Sequence, residues 1–235
     1  MKISKITIFI FLALFFYIQN VFCELASSKK NLNENYSIDE IMKKIELKYI
    51  EKGFGAIFSQ ESTLKAMDIT DKASGTAIFM YPGMMKWTYL EPEEQIIVTD
   101  GDKLWIYRKE DNQVMLGKAP KYFGSGKGAS FLTDIEILRQ SFELSFPEDD
   151  PDSPPKQNER HCIKLLPKKK NPDFTKLFLS ISKKTYDIME ITSYNAYGDK
   201  TLIKFSDLEF HNDLAKDMFY FKIPDGADIV QLDGE

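Results

Sequence analysis

The stretch FMYPGMMKWTYLEPEEQIIVTDGDKLWIY, residues 79–107, determines the fold class. Met85, Trp87 and Tyr89 alternate with polar residues, as in a strand with one buried face. Asp100-Gly101 between two apolar runs is a strong signal for a β-hairpin. The stretch contains two tryptophans, three tyrosines and three methionines but neither cysteine nor histidine. It therefore predicts antiparallel strands with a large apolar surface, and we expect it to form the floor of an apolar cavity.

The same period-two alternation continues along the chain on both sides of this stretch. FGAIFSQES places Phe54, Ala56 and Phe58 on one face, and SGTAIFMY leads into a Pro82-Gly83 turn. Further strand-like segments are Val114–Leu116, HCIKLLPKK, TKLFLSISKK, DIMEITSYNAYGD and KTLIKFSDLEF. Short connections between consecutive strands indicate an antiparallel meander rather than βαβ units. We predict a mainly β fold with α, built on one highly curved antiparallel sheet.

Two helices are expected beside this sheet. Ser37 and Glu40 have the spacing of a capping box, which predicts a helix from residue 38 to about Lys52, ended by Gly53. The apolar stripe of this helix contains Ile38, Ile41, Met42, Ile45, Leu47, Tyr49 and Ile50. A shorter helix over residues 133–139 displays Phe131, Ile135 and Leu138. The acidic, proline-rich segment after Phe146 is expected to be an exposed loop with solvated acids at Asp149-Asp150.

The N-terminus has the pattern of an export signal. Lys2 and Lys5 precede the apolar run ITIFIFLALFFYI, and smaller residues follow at Val21 and Cys23. We predict a signal peptide over residues 1–23 and one domain over residues 24–235, located in the periplasm. The run is short for a membrane anchor. Lipidation of Cys23 is the other alternative, which is disfavoured because Phe22 stands where a lipid-attachment motif has a small residue.

No pattern of catalytic or metal-binding residues stands out. The chain has no HExxH, GxSxG, GxGxxG or P-loop motif, and we expect neither an enzyme nor a cofactor. His161 and His211 lie on different predicted strands, and each is expected to be a surface or edge residue. Cys162 is expected to be a half-buried strand residue. A net charge of −5 argues against nucleic acid as a partner.

The apolar content is consistent with two kinds of interior. A curved sheet can enclose a cavity, and methionine adapts to varied apolar ligands. Equally, the same residues can fill an ordinary core, and the helical stripe can be either core or a lid over a cavity. Composition and periodicity leave both alternatives open.

Several segments resemble the periplasmic outer-membrane lipoprotein carrier proteins of the LolA family. They are FGAIFSQ, SGTAIFMYPGMMKWTYLEPEEQIIVTDGDKLWIY, FLTDIEILRQSFELSF and IKFSDLEFHNDLAKDMFYFKIPDGADIV. The resemblance implies an incomplete, half-open β-barrel covered by helices, with an apolar cavity for acyl chains. It implies acylated lipoproteins as cargo, and an inner-membrane ABC-type releasing complex and an outer-membrane acceptor lipoprotein or membrane as partners. We expect the carrier to act as a monomer.

The resemblance also implies roles for individual residues. Met85, Trp87, Tyr89 and Ile97 match cavity-facing positions, and with Phe79 they form our hypothetical acyl-chain-binding set. The hypothetical lid and gate consist of Ile41, Ile45, Tyr81 and Leu138. Tyr81 stands where well-known members have an arginine that bonds to the covering helices, and a phenol cannot imitate a guanidinium fork.

Two other functions are compatible with the same fold. One is a periplasmic sensor or regulatory domain that binds lipid or lipoprotein and signals through a partner. The other is a lipid-anchored acceptor, which would require lipidation at Cys23.

Overall fold

The structure, a computed structural model, describes residues 36–50, 52–120, 127–170 and 173–232. The predicted signal peptide, residues 1–23, lies outside this part. Within these ranges no helix has both the length and the hydropathy needed to cross a bilayer.

The described residues contain twelve strands, which form a single sheet. Their bounds are β1 Gly53–Leu64, β2 Ile69–Met80, β3 Met84–Glu91, β4 Gln95–Asp100, β5 Lys103–Arg108, β6 Gln113–Lys118, β7 Phe142–Ser145, β8 Arg160–Pro167, β9 Lys176–Ser182, β10 Ile188–Tyr194, β11 Lys200–His211 and β12 Asp228–Gln231. Neighbours follow the order β12-β6-β5-β4-β3-β2-β1-β11-β10-β9-β8-β7. Every pairing is antiparallel except β12 with β6, which is parallel. The edge strands β7 and β12 do not pair with each other, so the sheet is open, as predicted.

Strand β1 joins the two halves of the sheet. On one side Phe54 lies opposite Phe79 of β2, and on the other Phe58 lies opposite Phe205 of β11. Directly opposed residues share a face of the sheet, so these four rings lie on one face. We call the face that carries Phe54, Phe79 and Trp87 the inner face and the opposite one the outer face.

The quoted stretch contributes to both faces, which corrects the expectation that all of it forms one floor. Trp87 pairs with Ile97, and Ile97 pairs with Ile106, so these three residues lie on the inner face. Trp105 pairs with Val98 and lies on the outer face, because the connection between Thr99 and Leu104 reverses the odd-even alternation. There Val98, Trp105 and Val114 form a separate core under the C-terminal segment that carries Phe221 and Ile223.

The first helix, α1, spans Ile38–Tyr49 and has the predicted capping box. The Ser37 hydroxyl accepts a hydrogen bond from the Glu40 N–H, and the Glu40 carboxylate accepts one from the Ser37 N–H. The predicted end at Lys52 is wrong, because Ile50 is already extended at φ −60° and ψ 131°. Gly53 starts β1 instead, and a Cβ there would lie 2.3 Å from Leu214 Cδ1. Close packing therefore explains this glycine better than helix termination does.

The second helix, α2, spans Glu136–Ser141 and begins later than predicted. Residues Lys127–Thr133 before it form a 3₁₀ helix, in which the Thr133 hydroxyl donates to the Ser130 carbonyl at 2.7 Å. Phe131, Ile135 and Leu138, the apolar residues expected to be displayed by this helix, are buried, and Phe131 and Ile135 precede its first turn. A second 3₁₀ helix, Lys216–Phe219, contacts β3 and β4.

The acidic loop after β7 is fixed to the sheet by an ion-pair cluster. Lys164 and Lys176 each lie 2.8 Å from a different carboxylate oxygen of Asp150, whose side chain is only 6% exposed. Lys176 also lies 2.7 Å from Asp152. The prediction of a solvated acid at Asp150 is therefore wrong. Burial alone would raise the pKa of this carboxyl, but the lysine hydrogen bonds outweigh it and hold the pKa well below its usual value.

Candidate functional site: an apolar sheet face beneath two helices

The inner face carries a continuous group of aromatic rings. Phe54 stacks on Phe79 with centroids 4.7 Å apart, and Phe79 meets the Trp87 ring edge-on at 5.4 Å. Phe58 contacts Trp87 at 4.8 Å, and Phe205 lies 6.1 Å from the same indole. Aromatic contacts at these separations stabilise a core beyond the area they bury. Trp87 is the centre of this group.

The five residues of the predicted acyl-binding set lie on this one face. Phe79 pairs directly with Met85, and Trp87 pairs with Ile97. Phe79, Met85 and Trp87 are each at most 4% exposed. Tyr89 is half-buried and donates to the Gln60 side-chain oxygen at 3.2 Å, and burial raises its pKa to about 12.

Sequence reasoning missed Phe58 and Phe205. The β1–β2 and β2–β3 pairings bring Phe58 next to Trp87. Phe205 reaches the same indole through the pairing of β1 with β11. These strands are too distant along the chain for local patterns to connect them.

Helix α1 covers part of the inner face through its C-terminal end. The Tyr49 ring meets Phe54 and Phe210 edge-on at 5.1 and 5.2 Å. Its hydroxyl accepts a 2.9 Å hydrogen bond from the Ile188 N–H at the start of β10. Burial is the main cause that raises the pKa of Tyr49. The predicted lid residues Ile41, Ile45 and Leu138 are fully buried.

Arg139 connects the two helices. From α2, its Nη1 donates to the Asp39 carboxylate at 2.6 Å and its Nη2 to the Asp39 carbonyl at 3.1 Å. Its Nε donates to the Glu46 carboxylate, also on α1. Glu46 is 21% exposed and Asp39 is 85% exposed, so the Glu46 contact is the better shielded of the two. Charged hydrogen bonds of this kind are stronger than neutral ones.

Tyr81 lies in the turn between β2 and β3 and is 48% exposed. Among the described residues its hydroxyl has no hydrogen-bond partner. The phenol therefore does not replace the arginine expected at this position in the family. A guanidinium fork on the covering helices does exist, but Arg139 of α2 supplies it.

His161 and Cys162 are neighbours on β8. The prediction for His161 was a surface or edge residue. Its 8% exposure and its stacking on Tyr186 at 6.3 Å correct the surface alternative, whereas its position on β8, beyond the part paired with β7, agrees with the edge alternative. Burial lowers its pKa, and nearby Lys183 lowers it further. Cys162 is half-buried, as predicted. Burial is the main cause that raises its pKa to about 11, and the negative charge of Glu190 contributes to the increase. In the part of the chain described, no three His, Cys, Asp or Glu side chains are grouped to hold a metal ion.

Comparison with known proteins agrees with this architecture. Residues 51–222 match the family described as Outer membrane lipoprotein carrier protein LolA. An outer-membrane lipoprotein carrier protein of Nitrosomonas europaea is 31% identical over 178 residues, covering 76% of this chain and 82% of that protein. The same-named protein of Cupriavidus taiwanensis is 31% identical over 163 residues, covering 69% and 72% respectively.

The fold is also found in a solved structure. An uncharacterized conserved protein from Thermus thermophilus has a TM-score of 0.53 at 13% identity, covering 83% of this chain and 99% of that chain. The similarity over most of the chain confirms the resemblance seen in the sequence. The chain belongs to the LolA family of outer membrane lipoprotein carrier proteins.

Proposed function

We propose that this protein binds the acyl chains of lipoproteins on its inner face and carries them across the periplasm from the inner to the outer membrane. The observation that carries the proposal is the aromatic inner face, which lies on an open sheet and is covered in part by α1, the helix that Arg139 joins to α2. Acyl chains exposed to water must be covered during transit, and an apolar face beneath removable helices meets that need.

The energetics favour binding and make release the harder step. Each buried CH₂ contributes about 0.8 kcal/mol as an upper figure, so an acyl chain of ordinary length can bind tightly. In the structure the inner face is already packed, with Phe79 and Met85 almost fully buried, and this packing opposes binding. Acyl chains therefore replace contacts between helices and sheet, and the difference between the two sets of contacts determines net affinity.

In this mechanism Phe79, Met85, Trp87, Tyr89 and Ile97 contact the acyl chains. Ile41, Ile45 and Leu138 move away with α1 and α2, and Arg139 controls that movement. The proposed partners are an inner-membrane ABC-type complex that releases lipoproteins and an acceptor lipoprotein or membrane on the outer side. Loading and delivery would each proceed with the carrier as a monomer.

The two tryptophans provide a matched test, because Trp87 lies on the inner face and Trp105 on the outer face. Two single-tryptophan variants, Trp105→Phe and Trp87→Phe, are titrated with dibrominated stearate, whose bromines quench indole fluorescence on contact. Strong quenching of Trp87 with little quenching of Trp105 is expected. Equal quenching of both would indicate nonspecific adsorption, and quenching of neither would identify the inner face as an ordinary core. Either outcome refutes the proposal.

A further inference from the structure

A pocket of about 220 Å³ lies where α1, the β2–β3 turn and the start of α2 meet. It is lined by Glu46, Tyr49, Ile50, Tyr81, Thr133, Asp134, Ile135 and Glu136. Since about 10–15 Å³ of such space is enough to hold one water, the pocket has room for one long side chain. It is separate from the inner face, although Tyr49 contacts both.

The rim of the pocket carries large apolar side chains in contact with solvent. Ile50 and Tyr81 are 50% and 48% exposed. Leu47, in the last turn of α1, is 64% exposed. Clustered apolar residues around a concavity mark an interaction surface more often than isolated ones do.

The lining of the pocket is acidic. Glu46, Asp134 and Glu136 contribute carboxylates, and none of the lysines or arginines that the structure describes belongs to the lining. Glu46 forms an ion pair with Arg139, which is not part of the lining. Neither Asp134 nor Glu136 forms an ion pair with another described residue. The face of a tyrosine ring also attracts cations, and Tyr49 and Tyr81 both line the pocket. Charge and shape therefore complement a basic side chain flanked by apolar residues.

We propose that this pocket receives an arginine or lysine side chain from a partner protein, whose neighbouring apolar residues contact Leu47, Ile50 and Tyr81. The incoming cation competes with Arg139 for the Glu46 carboxylate and so loosens the connection between α1 and α2. Docking is thereby coupled to uncovering of the inner face. This inference rests on the proposed carrier function, since it identifies the chemistry of the partner that loads or unloads the cargo.

The probe is the peptide acetyl-Gly-Leu-Arg-Ile-Gly-amide, with a citrulline peptide as its neutral control of almost the same shape. Binding to the cargo-free protein is followed by NMR titration at low salt. The arginine peptide should shift amide signals of residues around the pocket and bind roughly fivefold more tightly than the citrulline peptide. Asp134→Asn/Glu136→Gln should abolish this preference. Glu93→Gln/Asp225→Asn, which removes the same charge at exposed acids elsewhere, should retain it.

Equal binding of the two peptides, or a preference that survives in Asp134→Asn/Glu136→Gln, would overturn the docking site. Tighter binding of dihexanoylphosphatidylcholine than of the arginine peptide would overturn it in favour of a lipid headgroup. Uptake of a fluorescent palmitate should also be faster with the arginine peptide, and an unchanged rate would refute the coupling. Palmitate uptake without any peptide effect refutes only this inference, whereas absence of uptake refutes the carrier function itself.

Discussion

Replacing Arg139 by glutamine should increase the opening of the two helices without unfolding the sheet. The substitution removes the guanidinium bonds to Asp39 and Glu46. A charged hydrogen bond in the partly buried Glu46 environment contributes about 1.5 kcal/mol. The exposed Asp39 pair adds about 0.5 kcal/mol after screening by solvent. A loss of about 2 kcal/mol in total corresponds to an increase of about 30-fold in the open population.

Hydrogen exchange measured by mass spectrometry reports this opening directly. Amides of α1, residues 38–49, should exchange about 30-fold faster in Arg139→Gln, whereas amides of β1 should keep their protection. Arg108→Gln is the matched control, because Arg108 forms an ion pair with Asp111 at 3.2 Å on the β5–β6 side of the sheet, away from β1, β10 and β11, which α1 contacts. It should leave α1 exchange unchanged. Unchanged α1 exchange in a folded Arg139→Gln protein would refute the role of Arg139 in holding the helices.

Three further predictions concern stability and reactivity. Phe79→Ala removes a fully buried ring and should reduce the free energy of unfolding by about 3–4 kcal/mol in denaturant titrations; a loss below about 1 kcal/mol would contradict its central packing. Asp150→Asn should cost about 1–2 kcal/mol at pH 7, because Lys164 and Lys176 lose their shared carboxylate. The folded-state pKa of Asp150 lies below its usual value, so this stabilisation is complete above about pH 4 and is lost as the pH falls further. A difference in unfolding free energy between the wild type and Asp150→Asn that persists at lower pH would contradict this. Cys162, with a pKa of about 11, should react with iodoacetamide at pH 8 roughly a hundredfold more slowly than a free cysteine. Unfolding in urea should abolish that protection. Rapid labelling of Cys162 in the folded protein would contradict its burial.

Local patterns in the sequence predicted the features that depend on nearby residues. The Ser37–Glu40 spacing placed the start of α1 correctly, since a capping box involves only one turn of helix. Alternation placed Met85, Trp87 and Tyr89 on one face because a strand has a period of two wherever it pairs.

Features that depend on distant residues could not be predicted in this way. The face occupied by Trp105 depends on the register of the β4–β5 connection, and one residue of slippage would reverse it. The bonds of Arg139 join residues 93 and 100 positions apart, for which no sequence spacing gives a signal. The burial of Asp150 likewise depends on lysines from two separate strands.

Native mass spectrometry of the protein purified gently from the periplasm of producing cells tests the carrier function most directly. The expected result is a one-to-one complex with an acylated lipoprotein that is lost in Trp87→Asp and retained in the Arg108→Gln control. Protein that carries only free phospholipid, or that stays empty when acylated lipoprotein is added, would contradict the function proposed for the inner face.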